Sequence, residues 1–362
     1  MAEVAKHSLR STTAVSGKPQ RWFYLMTGFS LAILLWQAKP NGPLTDFFEW
    51  DILLVSGFLT FVAGLIIAQG SRERLERMLD RLANRGSLTG EALAKIEDGL
   101  EERTRGWIRA GGLVVAASIL IAFTVVSWHN RGTSRAISLM FLGLFEAAWG
   151  YVAGRYLGRM ASYGCLGWFL NTTRARISVK PGYIDGAAGL KPIGDFYFRQ
   201  AMVAAVPAVF LALWWLIIPA WPEPSIRARY LQWMHPYLGL LTLAIVIEAL
   251  AFVAPMRWFH VEMKRQKEQL LSDADNLSES IARIRIQLAE SLAKPDRDNL
   301  NEQLSLKTKQ YWDIEEMPTW PVDRSIARRF TFQNLALLLP VVGEMAGLHE
   351  VWVKFLQGVL TS

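Results

Sequence analysis

The chain has 362 residues, of which 52% are hydrophobic, and a formal charge of +7. Apolar residues fall in long blocks separated by charged segments, which suits a bilayer rather than a single water-soluble core. A lone cysteine, Cys165, excludes an intrachain disulfide framework and a Cys-rich metal site. The basic balance carries no nucleic-acid signature and fits the Lys and Arg that gather on the cytoplasmic side of membrane proteins.

Crossing a hydrocarbon core of ~30 Å takes about 20 mostly apolar helical residues, and the sequence predicts an all-α polytopic protein with six such spans. Residues 1–21 read as a basic cytoplasmic segment (Lys6, Arg10, Lys18, Arg21) with no cleavage site of the secretory type. The first span is Trp22–Trp36, and a turn with Pro40, Gly42 and Pro43 leads into the second, Asp51–Gln69. The insertion Ser71–Arg105 predicts a helical hairpin. Leu75, Leu79 and Leu82 recur at helical spacing, and Leu93, Ile96 and Leu100 mark a second helix after the break at Asn84–Ser87. Arg74, Arg77, Arg81 and Arg85 form a basic stripe that suits either anionic lipid head groups or a solvated helix face.

Trp107–Trp128 is the third span, bracketed by interfacial tryptophans. The fourth, Ile137–Met160, carries Gly150, Gly154 and Gly158 at four-residue spacing, which permits close helix approach within one subunit or between subunits. The fifth is Ala201–Trp221, with Pro207 and Pro219, and the sixth is Tyr237–Met256. Lys and Arg concentrate in the N-terminus, in 71–105, in 174–199 and after Met256. The expected topology therefore has both termini in the cytoplasm.

Beyond Met256, Leu270, Ala274, Leu277, Ile281, Ile284 and Leu288 alternate steps of four and three, an a/d seam. Lys294-Pro295-Asp296 interrupts it, and Leu300, Leu304, Tyr311 and Ile314 continue on a second helix. Residues 257–316 thus predict a cytoplasmic coiled-coil hairpin, its seam serving either its own second helix or another subunit. In 317–362 an interfacial or re-entrant helix is expected over Phe330–Leu348, interrupted by Pro340, Gly343 and Glu344, then an amphipathic tail.

The segment Lys180–Gln200 is rich in Gly and Pro. Asp185, Gly186, Gly189, Lys191 and Asp195 make it a candidate for a head-group phosphate held by backbone N–H groups or for a cation held by carboxylates. The competing reading is a structural plug with aspartates capping helices or pairing with arginines. Tyr183-Ile184-Asp185-Gly186-Ala187-Ala188-Gly189-Leu190 resembles a His-Pro-Asp-Gly-Ala-Gly-Gly-Leu loop of a loosely defined group of bacterial integral membrane proteins. Met317-Pro318-Thr319-Trp320-Pro321-Val322-Asp323 is similar to a second block of that group. The chain departs at Tyr183-Ile184, where the group has His-Pro, and at Ala188, where it has glycine. The resemblance implies a bacterial inner membrane and supplies no reaction.

Ionisable residues within spans are functional candidates by default. Glu146 and Glu248 lie mid-span, and Arg155 and Arg159 lie nearer the cytoplasmic end of the fourth span, a pattern suited to an ion path with a guarded mouth. The competing reading has each glutamate protonated or bonded to a neighbouring helix. None of the five histidines falls in a catalytic or metal spacing, and no G-x-S-x-G or phosphate-binding loop occurs. The sequence therefore reads as a non-enzyme without cofactor. A homo-oligomeric channel assembled through cytoplasmic helices leads, with lipid as its constant partner. A membrane-anchored scaffold that recruits a protein through 257–316 is the alternative. A secondary transporter is third, for want of an internal repeat.

Overall fold

A computed structural model describes residues 27–28, 30, 52–129, 134–173, 176–217, 234–290 and 294–345. The predicted first span, apart from Thr27, Gly28 and Ser30, the basic N-terminal segment and the C-terminal tail lie outside the described residues. Ten helices are described: α1 (Ile52–Gln69), α2 (Ser71–Asn84), α3 (Gly90–His129), α4 (Ser134–Gly164), α5 (Leu166–Thr172), α6 (Lys191–Ala204), α7 (Val206–Ile217), α8 (Met234–Glu290), α9 (Lys294–Glu315) and α10 (Arg324–Met345). Among the described residues there is no strand, only an isolated bridge between Leu88 and Ile177.

Two stretches, Glu102–Val125 and Leu238–Glu290, are long and apolar enough to cross a membrane. The pair Lys191–Ala204 and Val206–Leu216, bent by 44°, adds a third if taken as one span. Leu113, Val114, Ile121 and Val125 on α3, and Leu240, Leu243 and Leu250 on α8, point outward and exposed. Apolar surface of this extent is tolerated against lipid and not against water. The protein is an all-helical membrane protein.

Helix boundaries depart from the sequence reading at several junctions. The second helix of the 71–105 insertion and the predicted third span are one 40-residue helix, α3, because the Glu101–Trp107 junction holds no proline and only one glycine. The sixth span and the first arm of the predicted hairpin likewise form one 57-residue helix, α8. The helix that leads into the predicted fifth span starts ten residues before it, at Lys191, with Pro192 in the first turn where its missing N–H costs nothing. It then breaks at Ala205, since Pro207 removes a donor from the ladder.

The described chain divides into two compact units: residues 1–76 with 107–159, and residues 77–106 with 160–362. In the first unit α3 and α4 lie in close contact. A Cβ at Gly154 would overlap the carbonyl of Gly111, and one at Gly158 would overlap that of Trp107. Gly143 faces Phe123 and Gly150 faces Ile119 along the same seam. Opposite it, Trp149 packs edge-on to Phe58 and Phe61 at 5.2 and 5.9 Å and donates its indole N–H to Ser30 Oγ at 3.0 Å.

In the second unit α8 is the central post. Its buried stripe is Leu241, Ile245, Glu248, Phe252, Met256, Phe259 and Met263, in steps of four and three. α6 and α7 pack along it, with Tyr197 against Phe259 and Phe198 against Phe252, while Ala208 and Ala212 join Leu241 and Ile245 in one cluster. α9 returns antiparallel along the polar half of α8, where Lys307 bonds Ser280 and Lys267 Nζ donates to the carbonyls of Glu315 (2.7 Å) and Met317 (2.9 Å). Ala274, Ile281 and Ile284 of the predicted seam are buried.

α10 is one 22-residue helix that continues through Pro340, about 33 Å long, and it runs antiparallel beside the apolar part of α8. Gln333 meets Glu248, Phe330 meets Phe252, and Leu337 joins the Leu241–Ile245 cluster.

Candidate functional site

The segment between α5 and α6 folds as an ordered plug. Gly182, Gly186 and Gly189 take positive φ of 68°, 67° and 87°, a region open to glycine, and Ala188 joins them at 52°. These turns aim successive N–H groups inward, a concavity that suits an anion. The anion is the chain's own. Asp185 Oδ1 accepts the N–H groups of Ala187 and Gly189, each at 3.0 Å, and Oδ2 accepts that of Lys191 at 3.3 Å. Arg85 completes the set at 2.6 Å from Oδ2, also donates to the Gly189 carbonyl at 3.2 Å, and lies over the Tyr183 ring. Only 6% of the Asp185 side chain is exposed. Its acceptor capacity is filled by these four contacts.

The second block that the sequence singled out lies against the first. Lys191 pairs with Asp323, and a Cβ at Gly194 would overlap the Pro321 carbonyl. Asp323 also caps α10, its Oδ1 accepting the Ile326 N–H at 2.8 Å. Burial pushes the Asp323 carboxyl up, but the Lys191 hydrogen bond, the Ile326 N–H and the charges of Lys191 and Arg329 together hold it below the ordinary aspartate range. Asp195 sits half-buried one turn beyond Lys191.

Three residues of α8 that the sequence reading passed over fasten this region. His260 stacks on Trp320 at 4.3 Å, with Nδ1 2.8 Å from the Thr319 carbonyl. Gln266 Nε2 donates to the Ile177 carbonyl at 2.6 Å while its Oε1 accepts the Val179 N–H at 3.1 Å, so one side chain pairs with a stretch of extended backbone. Lys267 caps the end of α9. The available signal was polar residues interleaved with the apolar stripe at Phe259 and Met263.

The basic stripe on α2 divides. Arg74 donates to the Ile67 carbonyl at the end of α1 (2.9 Å), Arg85 belongs to the plug, and Arg77 and Arg81 are exposed. On α4, Arg155 and Arg159 fold over Tyr151 and Tyr156 at 5.8 and 5.7 Å. Glu146, half-buried, belongs to the first unit. Glu248 belongs to the second and is wholly enclosed, with 0% exposure. Gln333 Nε2 donates to its Oε1 at 2.7 Å, and Oε2 has no hydrogen-bond partner among the described residues. Among the described residues no group of three His, Cys, Asp or Glu is placed to hold a metal ion.

Searches of family models, curated proteins and solved structures give no match to this chain.

Proposed function

We propose that this protein is a membrane-anchored scaffold: its spans hold a rigid polar platform on one side of the bilayer, and a protein partner docks on the hairpin of α8 and α9. The observation that carries this reading is the fastening of Lys191, Asp323, Asp185, Arg85, His260 and Gln266, which ties the middle of α8 to the plug and to the start of α10. A tether needs no such joint, whereas a platform that holds its partner at a set distance does. The outward surface of the hairpin supports the same reading, with Ile286, Leu306 and Trp312 exposed among charges. We place the platform in the cytoplasm of a bacterium and count six spans before α10, on the Lys and Arg asymmetry of the loops. α10 is not among the described helices that are long and apolar enough to cross a membrane, and its course beside the apolar part of α8 is what supports reading it as a further crossing.

A homo-oligomeric channel is the second reading, favoured by the enclosed carboxyl of Glu248 in an otherwise apolar stripe. Two features that suggested oligomers, the glycine face of α4 and the seam of α8, are both packed within one chain. The test separates the two readings. A photocrosslinker at Arg283 in cells is expected to join a second protein species, and proteoliposomes of the purified chain are expected to hold sodium, potassium and proton gradients. Ion flux that Glu146→Gln or Glu248→Gln abolishes, with no crosslinked partner, replaces the scaffold with the channel.

A further inference from the structure

Glu248 occupies a position in the α8 stripe that a leucine would suit. On one side lie Ala208, Ala212, Leu241, Ile245 and Leu337, and on the other the Phe252 and Phe330 rings, 4.3 Å apart. The ionisable groups on the helices packed around it are turned elsewhere. α7 contributes none. On α6 Arg199 is exposed, Tyr197 donates to the Tyr163 carbonyl at 2.8 Å, and Lys191 and Asp195 lie at the far end. On α10 Arg324, Arg328 and Arg329 are exposed and Glu344 stands about three turns beyond Gln333. On α8 itself the nearest charge, Arg257, is exposed.

An enclosed carboxylate with no cation beside it carries a desolvation penalty that one neutral hydrogen bond does not offset. A carboxylic acid does not carry that penalty. Gln333 turns its amide N–H toward Glu248, which suits a carboxyl oxygen and opposes a metal cation, whose ligands are oxygens.

We propose that Glu248 and Gln333 form a proton-binding site within the bilayer, in which Glu248 is a neutral acid while α10 is packed on α8. Oε1 accepts the Gln333 N–H and the proton sits on Oε2. The site stands whether or not the chain conducts ions, because its occupancy is read without flux.

The experiment is infrared difference spectroscopy of the full chain in liposomes of neutral lipid at neutral pH. The expected result is a protonated-carboxyl C=O band that Glu248→Gln lacks, that Gln333→Leu shifts in frequency, and that sodium leaves unchanged. Should Glu248→Gln fail to fold, Glu248→Asp keeps the acid and is expected to show the band at a shifted frequency. Absence of the band in the parent chain, or in a folded Glu248→Asp, overturns the proposal. Loss of the band on adding sodium overturns it in favour of a metal cation. A Glu248→Leu chain with the same pH dependence of melting as the parent reduces the residue to packing, which also overturns it.

Discussion

Lys191 and Asp323 stand 132 positions apart in the chain and form an ion pair at the point where α6 and α10 begin. The lysine is 34% exposed and the aspartate 15%, so the charge pair alone is worth about 0.2–1 kcal/mol. Asp323 additionally caps α10, a contact worth about 1 kcal/mol. Asp323→Ala should therefore lower the melting temperature in detergent more than Lys191→Ala does. Equal losses would show that the cap contributes nothing.

The same aspartate sets an acid limit. Its carboxyl titrates below the ordinary range in the folded chain, so its contribution is complete above the unfolded value of about 3.9 and fades as pH falls through the folded one. Asp323→Asn should flatten the dependence of melting temperature on pH below about pH 4 and leave the curve above it parallel to the parent. An unchanged acid limb would remove Asp323 from that role.

Asp185 satisfies three backbone N–H groups and Arg85 at once. Asp185→Ala leaves the three N–H groups without that acceptor and Arg85 with only the Gly189 carbonyl, and should cost about 3 kcal/mol of stability. Limited proteolysis is expected to cut first between Ile177 and Leu190. A variant that melts with the parent and acquires affinity for inorganic phosphate would instead make the plug a ligand loop.

The glycine seam of α4 gives a graded series. A methyl at Gly158 or Gly154 meets a backbone carbonyl, whereas one at Gly150 meets the movable end of Ile119. Gly158→Ala and Gly154→Ala should each destabilise by about 1–3 kcal/mol, and Gly150→Ala by less. Because the seam lies within one chain, particle mass on detergent gel filtration should stay constant across the series; a fall in mass would place the seam between subunits.

The course of α10 predicts where the chain emerges. If α10 crosses, a cysteine replacing Met345 at its end should be labelled by an impermeant maleimide from outside intact cells, and one at Ser280 only after permeabilisation. Labelling of both from the same side would make α10 re-entrant.

Much of this was legible one segment at a time. Apolar blocks of span length, the seam from Leu270 to Leu288 and the turn signals at Asn84–Ser87 are local patterns, and local patterns decide whether a stretch is helical and whether it prefers lipid. They did not decide where helices join. α3 runs on past Gly106 and α8 past Pro255, through junctions where the composition changes between polar and apolar, and no local pattern marks that continuation. Nor could they assign partners. Asp185 beside four glycines suits an empty anion cradle or a filled one equally well, and only the folded loop brings Arg85 and the three N–H groups onto it. Glu248 read from sequence is a charge in a span. Its enclosure between Phe252, Phe330 and the Leu241 cluster, with Gln333 as its donor, comes from α10 lying beside α8, and that contact depends on residues too far apart in the chain for any local rule to register.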